Sequence, residues 1–155
     1  MTATEHGHGS TQIKHGLGTL LRLPYQAMMT DVVEPALSSA GCADIRSAHL
    51  PVIQALAMHP DGLRATELAA YARITKQSMG SLVDHLGRAG YVERVPDPGD
   101  LRAKVVRLTP RGWTASRNIR DAVLEVEADW AQRVGTERVA LLRAILQDLV
   151  ASYGR

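Results

Sequence analysis

The chain has 155 residues, of which 45% are hydrophobic and 22% charged, a balance that fits one globular domain with a buried core. The formal net charge is only +2, and the single cysteine, Cys42, excludes an internal disulfide framework and a cysteine-rich zinc site. No stretch approaches the roughly 20 apolar residues that span a bilayer, and the start lacks a signal peptide's basic and apolar regions, so we expect a cytoplasmic protein.

The first forty residues are predicted to hold a short tail and one long helix. The first ten residues are rich in Gly, His and Thr, which is typical of a flexible tail. Its two histidines, His6 and His8, do not make a metal site without further ligands. From about residue 11 to 39 apolar residues recur at helical spacing, and Pro24 and Pro35 are expected to kink or shorten this helix.

A helix-turn-helix is predicted next. One helix is expected over about 45–58, and a strong turn sequence, His59-Pro60-Asp61-Gly62, ends it. Two short helical patterns follow, at 65–71 and 76–89, and only four residues separate them. Thr75 is a suitable N-cap for the second of these helices, and Gly90 a suitable residue to end it.

The hydrophobic period then changes from helical to extended. Residues 91–95 and 104–108 are rich in Val and flank the turn sequence Pro96-Asp97-Pro98-Gly99-Asp100, which predicts a hairpin with a long turn. A hairpin directly after a helix-turn-helix is a wing.

Two further helices complete the chain. Thr109-Pro110 pairs an N-cap with a proline in the first helical position and opens a helix to about residue 134. After Gly135, Thr136 is expected to cap a last helix over 137–152. The predicted fold class is therefore mainly α, with four helices, a small β-hairpin wing and two helices. The expected divisions are a winged helix-turn-helix domain at 45–109 and a helical dimerisation region at 11–40 and 110–155.

Positive charge is concentrated in the middle third, where Gly62 to Arg111 hold nine basic and five acidic residues. On the helix over 76–89, the side chains off the apolar stripe are of types that bind base edges or phosphates in the major groove. Gly80 in this helix is interpreted as admitting a neighbouring helix or DNA backbone. An ordinary solvated face remains the alternative for this helix alone. The predicted DNA contacts here are Thr75, Lys76, Gln77, Ser78, Ser81 and His85.

The predicted wing carries the cations Arg94, Arg102, Lys104 and Arg107. An arginine on such a tip can enter the narrow, electronegative minor groove. Asp100 would repel phosphate if left free, whereas pairing with the Arg102 side chain would hold the guanidinium in one orientation. A solvated salt bridge in a loop is the alternative interpretation.

The run from Thr75 to Trp113, TKQSMGSLVDHLGRAGYVERVPDPGDLRAKVVRLTPRGW, resembles the recognition helix, wing and following helix start of MarR-family regulators. The family's wing pattern Asp-x-Arg-Ala-Lys is matched by Asp100, Arg102, Ala103 and Lys104. Leu101 departs from the family pattern, since relatives often carry Arg there, so one phosphate contact is expected to be missing. The element order from residue 11 to 152 also fits the family.

The resemblance implies a dimer whose first and last helices interlock and whose two winged domains lie on successive major grooves. The sequence supports this independently, because the apolar positions of the two C-terminal helices need a partner surface that another chain can supply. A purely intramolecular core is the alternative. These positions include Val123, Trp130, Leu142 and Leu149.

Regulators that resemble this chain commonly respond to small phenolic or anionic ligands, or to cysteine oxidation. Cys42 lies in a predicted turn with only Arg46 as a nearby cation, which gives a sensor thiol little support. Core packing is the alternative role for the candidate ligand residues. These residues, expected to line a cleft between the dimer helices and the winged domain, are Tyr25, Met28, Met29, His49 and Ile53.

The sequence therefore predicts a transcription regulator, a repressor that binds double-stranded DNA as a homodimer on a pseudo-palindromic operator and is released by a small aromatic or anionic effector. No catalytic residue, metal or cofactor is predicted, and no membrane partner. A winged helix that binds proteins and not DNA is one alternative. A small enzyme using His49, His59 or His85 is another, although no nucleophile elbow, phosphate loop or metal-ligand spacing accompanies these histidines.

Overall fold

The computed structural model describes residues 15–153, so the predicted tail lies outside the described part. The fold is mainly helical with one two-stranded antiparallel sheet, as the sequence predicts. Within residues 15–153 no helix is both long and apolar enough to cross a membrane. The elements are α1 (Leu17–Ala27), a π-helical turn (Met28–Val33), α2 (Glu34–Ser39), a 3-10 turn (Ser47–His49), α3 (Leu50–Met58), α4 (Ala65–Ala72), α5 (Lys76–Arg88), β1 (Val92–Asp97), β2 (Asp100–Leu108), α6 (Pro110–Val134) and α7 (Thr136–Tyr153).

The two prolines of the first helical stretch do not break it. Pro24 lies inside α1, and the chain runs from α1 through the π-helical turn into α2 without a loop. The wider π turn lies directly before Pro35, whose ring would clash with the Asp31 carbonyl in a regular α-helix. The sequence thus marks the position of the irregularity, and the structure absorbs it as one widened turn.

The core joins the winged region to α6. Tyr91 is fully buried at the start of the hairpin, and its hydroxyl donates a hydrogen bond to the Asp44 carboxylate at 2.8 Å. Arg111 stacks on the Tyr91 ring, with 4.6 Å from guanidinium carbon to ring centroid, and donates to its hydroxyl at 3.1 Å. At Gly112 an added Cβ would lie 2.0 Å from the Tyr91 carbonyl oxygen. Only glycine therefore lets α6 approach the hairpin this closely.

Two of the three predicted threonine N-caps are present, and the third threonine lies inside its helix. Thr75 accepts a hydrogen bond from the Ser78 N–H at 3.1 Å, and Thr109 accepts one from the Gly112 N–H at 3.1 Å. The prediction that Thr136 caps the last helix is wrong, because α7 begins at Thr136 itself, after Gly135 with its φ of 99°.

The hairpin is longer and its turn shorter than predicted. Its strands reach Asp97 and Asp100, so only Pro98 and Gly99 connect them. The Asp97 carboxylate accepts the Gly99 N–H at 2.8 Å and holds this tight turn, which the proline-rich sequence alone does not reveal. A third segment lies beside β2, where Leu63 and Val106 exchange backbone hydrogen bonds of 3.0 and 2.8 Å.

Candidate nucleic-acid interface

Helix α5 separates its apolar and polar side chains as predicted. Met79, Val83 and Leu86 are fully buried on one side. Arg73 adopts the left-handed conformation, with φ of 54°, in the turn that brings α5 across α4. The remaining predicted contact residues of the first two turns are exposed, and they are Lys76, Gln77, Ser78 and Ser81.

Part of this polar face is already used locally. The Thr75 hydroxyl donates to the Ser78 hydroxyl at 2.9 Å in addition to capping the helix, and the Ser81 hydroxyl donates to the Gln77 carbonyl at 3.3 Å. The Lys76 and Gln77 side chains extend from the exposed first turn of α5. This end of α5 is the part that the structure presents for contact with a ligand.

Gly80 is not a helix-packing glycine. A Cβ added at this position would meet no atom within 4 Å in the described part of the chain. Of the two roles predicted for Gly80, close approach of a neighbouring helix is therefore wrong, and open space on the α5 surface is what the structure has.

The cations of the wing differ in their surroundings: one is paired with α5, and two are exposed on β2. Arg94 on β1 donates to the Asp84 carboxylate of α5 at 2.6 Å and so joins wing and helix. Arg102 and Lys104 lie two residues apart on β2, so both project from the same face of the strand, and both are exposed. In residues 15–153 no carboxylate lies within 4.0 Å of either cation, so their charges are available to an anion.

Asp100 does not pair with the Arg102 side chain, which corrects the sequence prediction. Its carboxylate accepts the backbone N–H of Arg102 at 3.1 Å and lies 3.7 Å from a guanidinium nitrogen of Arg64. The reason is the tight turn, which leaves the Asp100 side chain closest to its own strand and to the start of α4. Asp100 thus shapes the backbone that carries Arg102. Sequence reasoning did not single out Arg64, because its partners follow more than thirty residues later.

His85 lies inward, which argues against the DNA contact predicted for it. Its Nε2 donates to the Asp44 carbonyl oxygen at 2.9 Å, and its ring stacks on His49 with centroids 4.5 Å apart and 10° between the planes. His49 is buried, and its Nδ1 accepts the Arg46 N–H at 3.0 Å. The two rings thus tie α5 to the segment that precedes α3.

The family model described as MarR family matches residues 43–103, which hold the helix-turn-helix and most of the wing. This segment is therefore similar to the MarR family. The comparison with curated protein sequences gives no significant match.

Solved structures of MarR-type proteins share the fold well beyond this segment. The reduced form of MarR from E. coli superposes with a TM-score of 0.72 at 23% identity, covering 88% of this chain and 97% of that one. A mutant MarR from E. coli complexed with operator DNA gives 0.68 at 23% identity, covering 86% and 92%. The PcaV transcriptional regulator from Streptomyces coelicolor, in complex with its natural ligand, gives 0.63 at 20% identity and covers 99% of both chains.

The predicted ligand residues are not brought together around one cleft beside the winged region. Met29, His49 and Ile53 are buried in the core, and the Tyr25 side chain is about half exposed on α1. Only Met28 lines an open cavity, of about 440 Å³ between the first helical stretch and α6. The other cavity-lining residues are Pro24, Ala27, Asp31, Val32, Glu125, Val126, Asp129, Trp130 and Arg133.

The buried histidine predicts a pH-dependent stability. Burial, and then the nearby His85, lower the pKa of His49, while Asp44 opposes and Arg46 adds to the decrease. The unfolded chain therefore takes up a proton on this residue before the folded chain does. As pH falls from about 6.5 toward the lower folded pKa, the free energy of unfolding should decrease, by at most about 1.4 kcal/mol per pH unit for this one proton.

Urea denaturation at pH 7.5 and at successively lower pH values measures this effect. His49→Asn, whose amide oxygen can still accept the Arg46 N–H, should flatten the pH dependence, whereas His59→Asn, which removes a histidine outside the pair, should not. A wild-type stability that stays constant from pH 7.5 to 5.5 would contradict the expectation.

Proposed function

We propose that this chain is a DNA-binding transcription regulator that acts as a homodimer, with α5 in the major groove and the wing tip in the adjacent minor groove. The observation that carries the proposal is the exposed polar end of α5 beside a wing whose cations Arg102 and Lys104 have no carboxylate partner in the described chain. Polar side chains on a helix can hydrogen-bond to base edges in the major groove, and unpaired cations on a hairpin are attracted to the electronegative minor groove. MarR solved with operator DNA supports the placement by its similar fold.

Homodimer formation is supported by the unpaired apolar surface of the terminal helices. Leu17 on α1 and Leu141 and Val150 on α7 are largely exposed, and α7 packs mainly against α6. Contiguous exposed apolar surface of this kind marks a protein interface. Residues 11–40 and 110–155 are thus the proposed dimerisation region, and residues 45–109 are the proposed DNA-binding domain.

Release by a small effector is the proposed mode of regulation, with repression as the outcome in its absence. The cavity beside Met28 and Trp130 has the size of a small-molecule site. Its lining combines apolar side chains with Arg133, which is paired with Asp129 at 2.8 Å, and with the carboxylates of Asp31 and Glu125. It lies between the first helical stretch and α6, so an occupant would alter the spacing of the elements that carry the two winged domains. A regulator of genomic DNA would work in the cytoplasm.

Selection from a random double-stranded DNA library tests the proposed function. We expect a pseudo-palindrome with half-site centres about 10 bp apart, since a two-fold dimer places two reading helices on one face of the duplex. Affinity should fall roughly tenfold or more between 50 and 200 mM salt, because cations displace counterions from phosphates. Binding without sequence enrichment, or a constant affinity over this salt range, would refute the proposal, and the alternative of a protein-binding winged helix would then remain.

Substitutions in the first turns of α5 separate base contacts from phosphate contacts. Gln77→Ala and Ser81→Ala should relax the sequence preference, with about 1 to 3 kcal/mol less discrimination between operator and random DNA. Lys76→Ala should weaken binding to all sequences alike and serves as the matched comparison. Competition titrations on both DNAs give the discrimination, and an equal loss on both for Gln77→Ala would move this side chain to the phosphate contacts.

A further inference from the structure

Arg64 joins the start of the helix-turn-helix to the tip of the wing. Its backbone N–H donates to the Glu67 carboxylate at 2.6 Å, which fixes the first turn of α4. Its guanidinium donates from Nε and Nη2 to one oxygen of Asp97, at 2.8 and 2.6 Å, and lies 3.7 Å from Asp100. Asp97 and Asp100 are opposite each other at the closed end of the hairpin.

A second attachment holds the hairpin lower down. Leu63 pairs with Val106 of β2 by two backbone hydrogen bonds, and at Gly62 an added Cβ would lie 2.7 Å from the Val106 oxygen. Val106 is opposite Arg94 on β1, three residues before Asp97, so the two attachments are about 10 Å apart along the strand. Residues 62–64 therefore hold the wing at two positions, at Val106 on β2 and at Asp97 near the tip.

Arg64 is the attachment at the tip of the hairpin. A two-stranded hairpin is marginally stable alone, and the Leu63–Val106 pairing and the Arg94–Asp84 ion pair hold it below the tip, so without Arg64 the tip itself is free to move. The Asp97 carboxylate that receives Arg64 also accepts the Gly99 N–H, and both interactions, with the Gly99 bond the larger cause, keep its pKa below the usual value. The anchoring group thus belongs to the turn itself, and fixing it fixes the whole tip.

We propose that Arg64 is a positioning residue for DNA binding, which holds the wing tip at a set distance from α5 so that Arg102 and Lys104 meet the DNA backbone and minor groove together with the reading helix. The inference rests on the proposed function. Arg64 acts through Asp97 and the wing and needs no DNA contact of its own.

Arg64→Met tests the positioning role, because it keeps an unbranched apolar stem and removes the donors. Arg107→Met is the matched control, since Arg107 pairs with Glu93 at 2.8 Å within the hairpin and loses the same charge without freeing the wing from α4. We expect Arg64→Met to lower operator affinity at least tenfold more than Arg107→Met. Because the Arg64 side chain is exposed and its pair with Asp97 is only partly buried, the pair stabilises the fold little, and the melting temperature should move by no more than about 4 °C.

Asp97→Asn separates positioning from charge. It removes a negative charge near the DNA, so electrostatics alone predicts tighter binding, whereas loss of the anchor predicts weaker binding; the amide oxygen can still accept the Gly99 N–H. The double variant Arg64→Met with Asp97→Asn should be no weaker than Arg64→Met alone, because both changes break one interaction. Tighter binding by Asp97→Asn, or additive losses, would overturn the inference.

Amide hydrogen exchange of the free protein follows the wing without DNA. Exchange over residues 92–108 should be faster in Arg64→Met than in Arg107→Met. If the wild type selects no operator, the proposed function fails, and faster exchange would still uphold Arg64 as the anchor of the wing. Equal exchange in the two variants would overturn the anchor, whatever the DNA result.

Discussion

Arg102→Ala is expected to lower the affinity for the operator by about 1 to 3 kcal/mol, roughly 5- to 150-fold. The side chain is exposed on β2 near Lys104, and no carboxylate of the described chain neutralises it. Its full positive charge is therefore available to attract a phosphate or a narrow minor groove. The free energy of unfolding should change by no more than about 1 kcal/mol, because the exposed guanidinium makes no ion pair within the described part of the chain. Fluorescence anisotropy with a labelled operator measures the first quantity and urea denaturation the second.

Arg102→Lys should restore only part of the affinity, since an ammonium is more strongly hydrated and lacks the planar fork of donors. A full rescue by lysine would show that only the charge matters. A loss of stability as large as the loss of binding would instead make Arg102 a folding residue.

Asp100 provides a finer comparison on the same strand. Its carboxylate accepts the Arg102 N–H, so Asp100→Asn keeps an acceptor while removing a charge, and Asp100→Ala removes both. If the Asp100 side chain shapes the wing backbone, the asparagine variant should bind more tightly than the alanine variant. Equal binding by the two would mean that only the charge of Asp100 affects DNA.

Local signals were sufficient to predict the helices, the hairpin and most of the caps. Thr75 and Thr109 cap helices because a hydroxyl two or three residues before an apolar run reaches the free N–H groups of the first turn, an interaction contained in a few residues. The π turn before Pro35 was foreseeable only as a disturbance, because the sequence shows the clash but not how the chain relieves it.

Sequence patterns do not predict contacts between residues that are far apart in the chain. The amphipathic pattern predicts His85 on the reading face, because polar residues of such a helix are expected outside. In the structure His85 lies at the edge of the apolar stripe next to Leu86 and reaches Asp44, 41 residues away. Arg64 and Asp97 are 33 residues apart, and only the folded hairpin brings their charges together. The periodicity gives a residue's side of a helix to within one position, which is too coarse to separate the edge of a face from its centre.

A charge in the exposed apolar surface of the terminal helices should convert the proposed dimer to a monomer. Leu17 and Val150 are 79% and 71% exposed in the single chain, so Leu17→Glu and Val150→Glu cost the folded monomer little. In a dimer the same carboxylates would be buried without a partner, at a cost of several kcal/mol. A monomer occupies one half-site, and losing the second linked contact should lower operator affinity about 100-fold or more.

Sedimentation equilibrium measures the mass, and anisotropy with the operator measures the binding. Met58→Glu is the matched control, because Met58 is 67% exposed at the end of α3 and lies outside the terminal helices; this variant should keep the mass of the wild type. Circular dichroism must show unchanged helix content in all three variants, so that loss of the dimer is not loss of the fold. A wild type that is monomeric at micromolar concentration would refute the proposed dimer. Charged variants that remain dimers would instead place the interface elsewhere, and the exposed leucines of α1 and α7 would then need another partner.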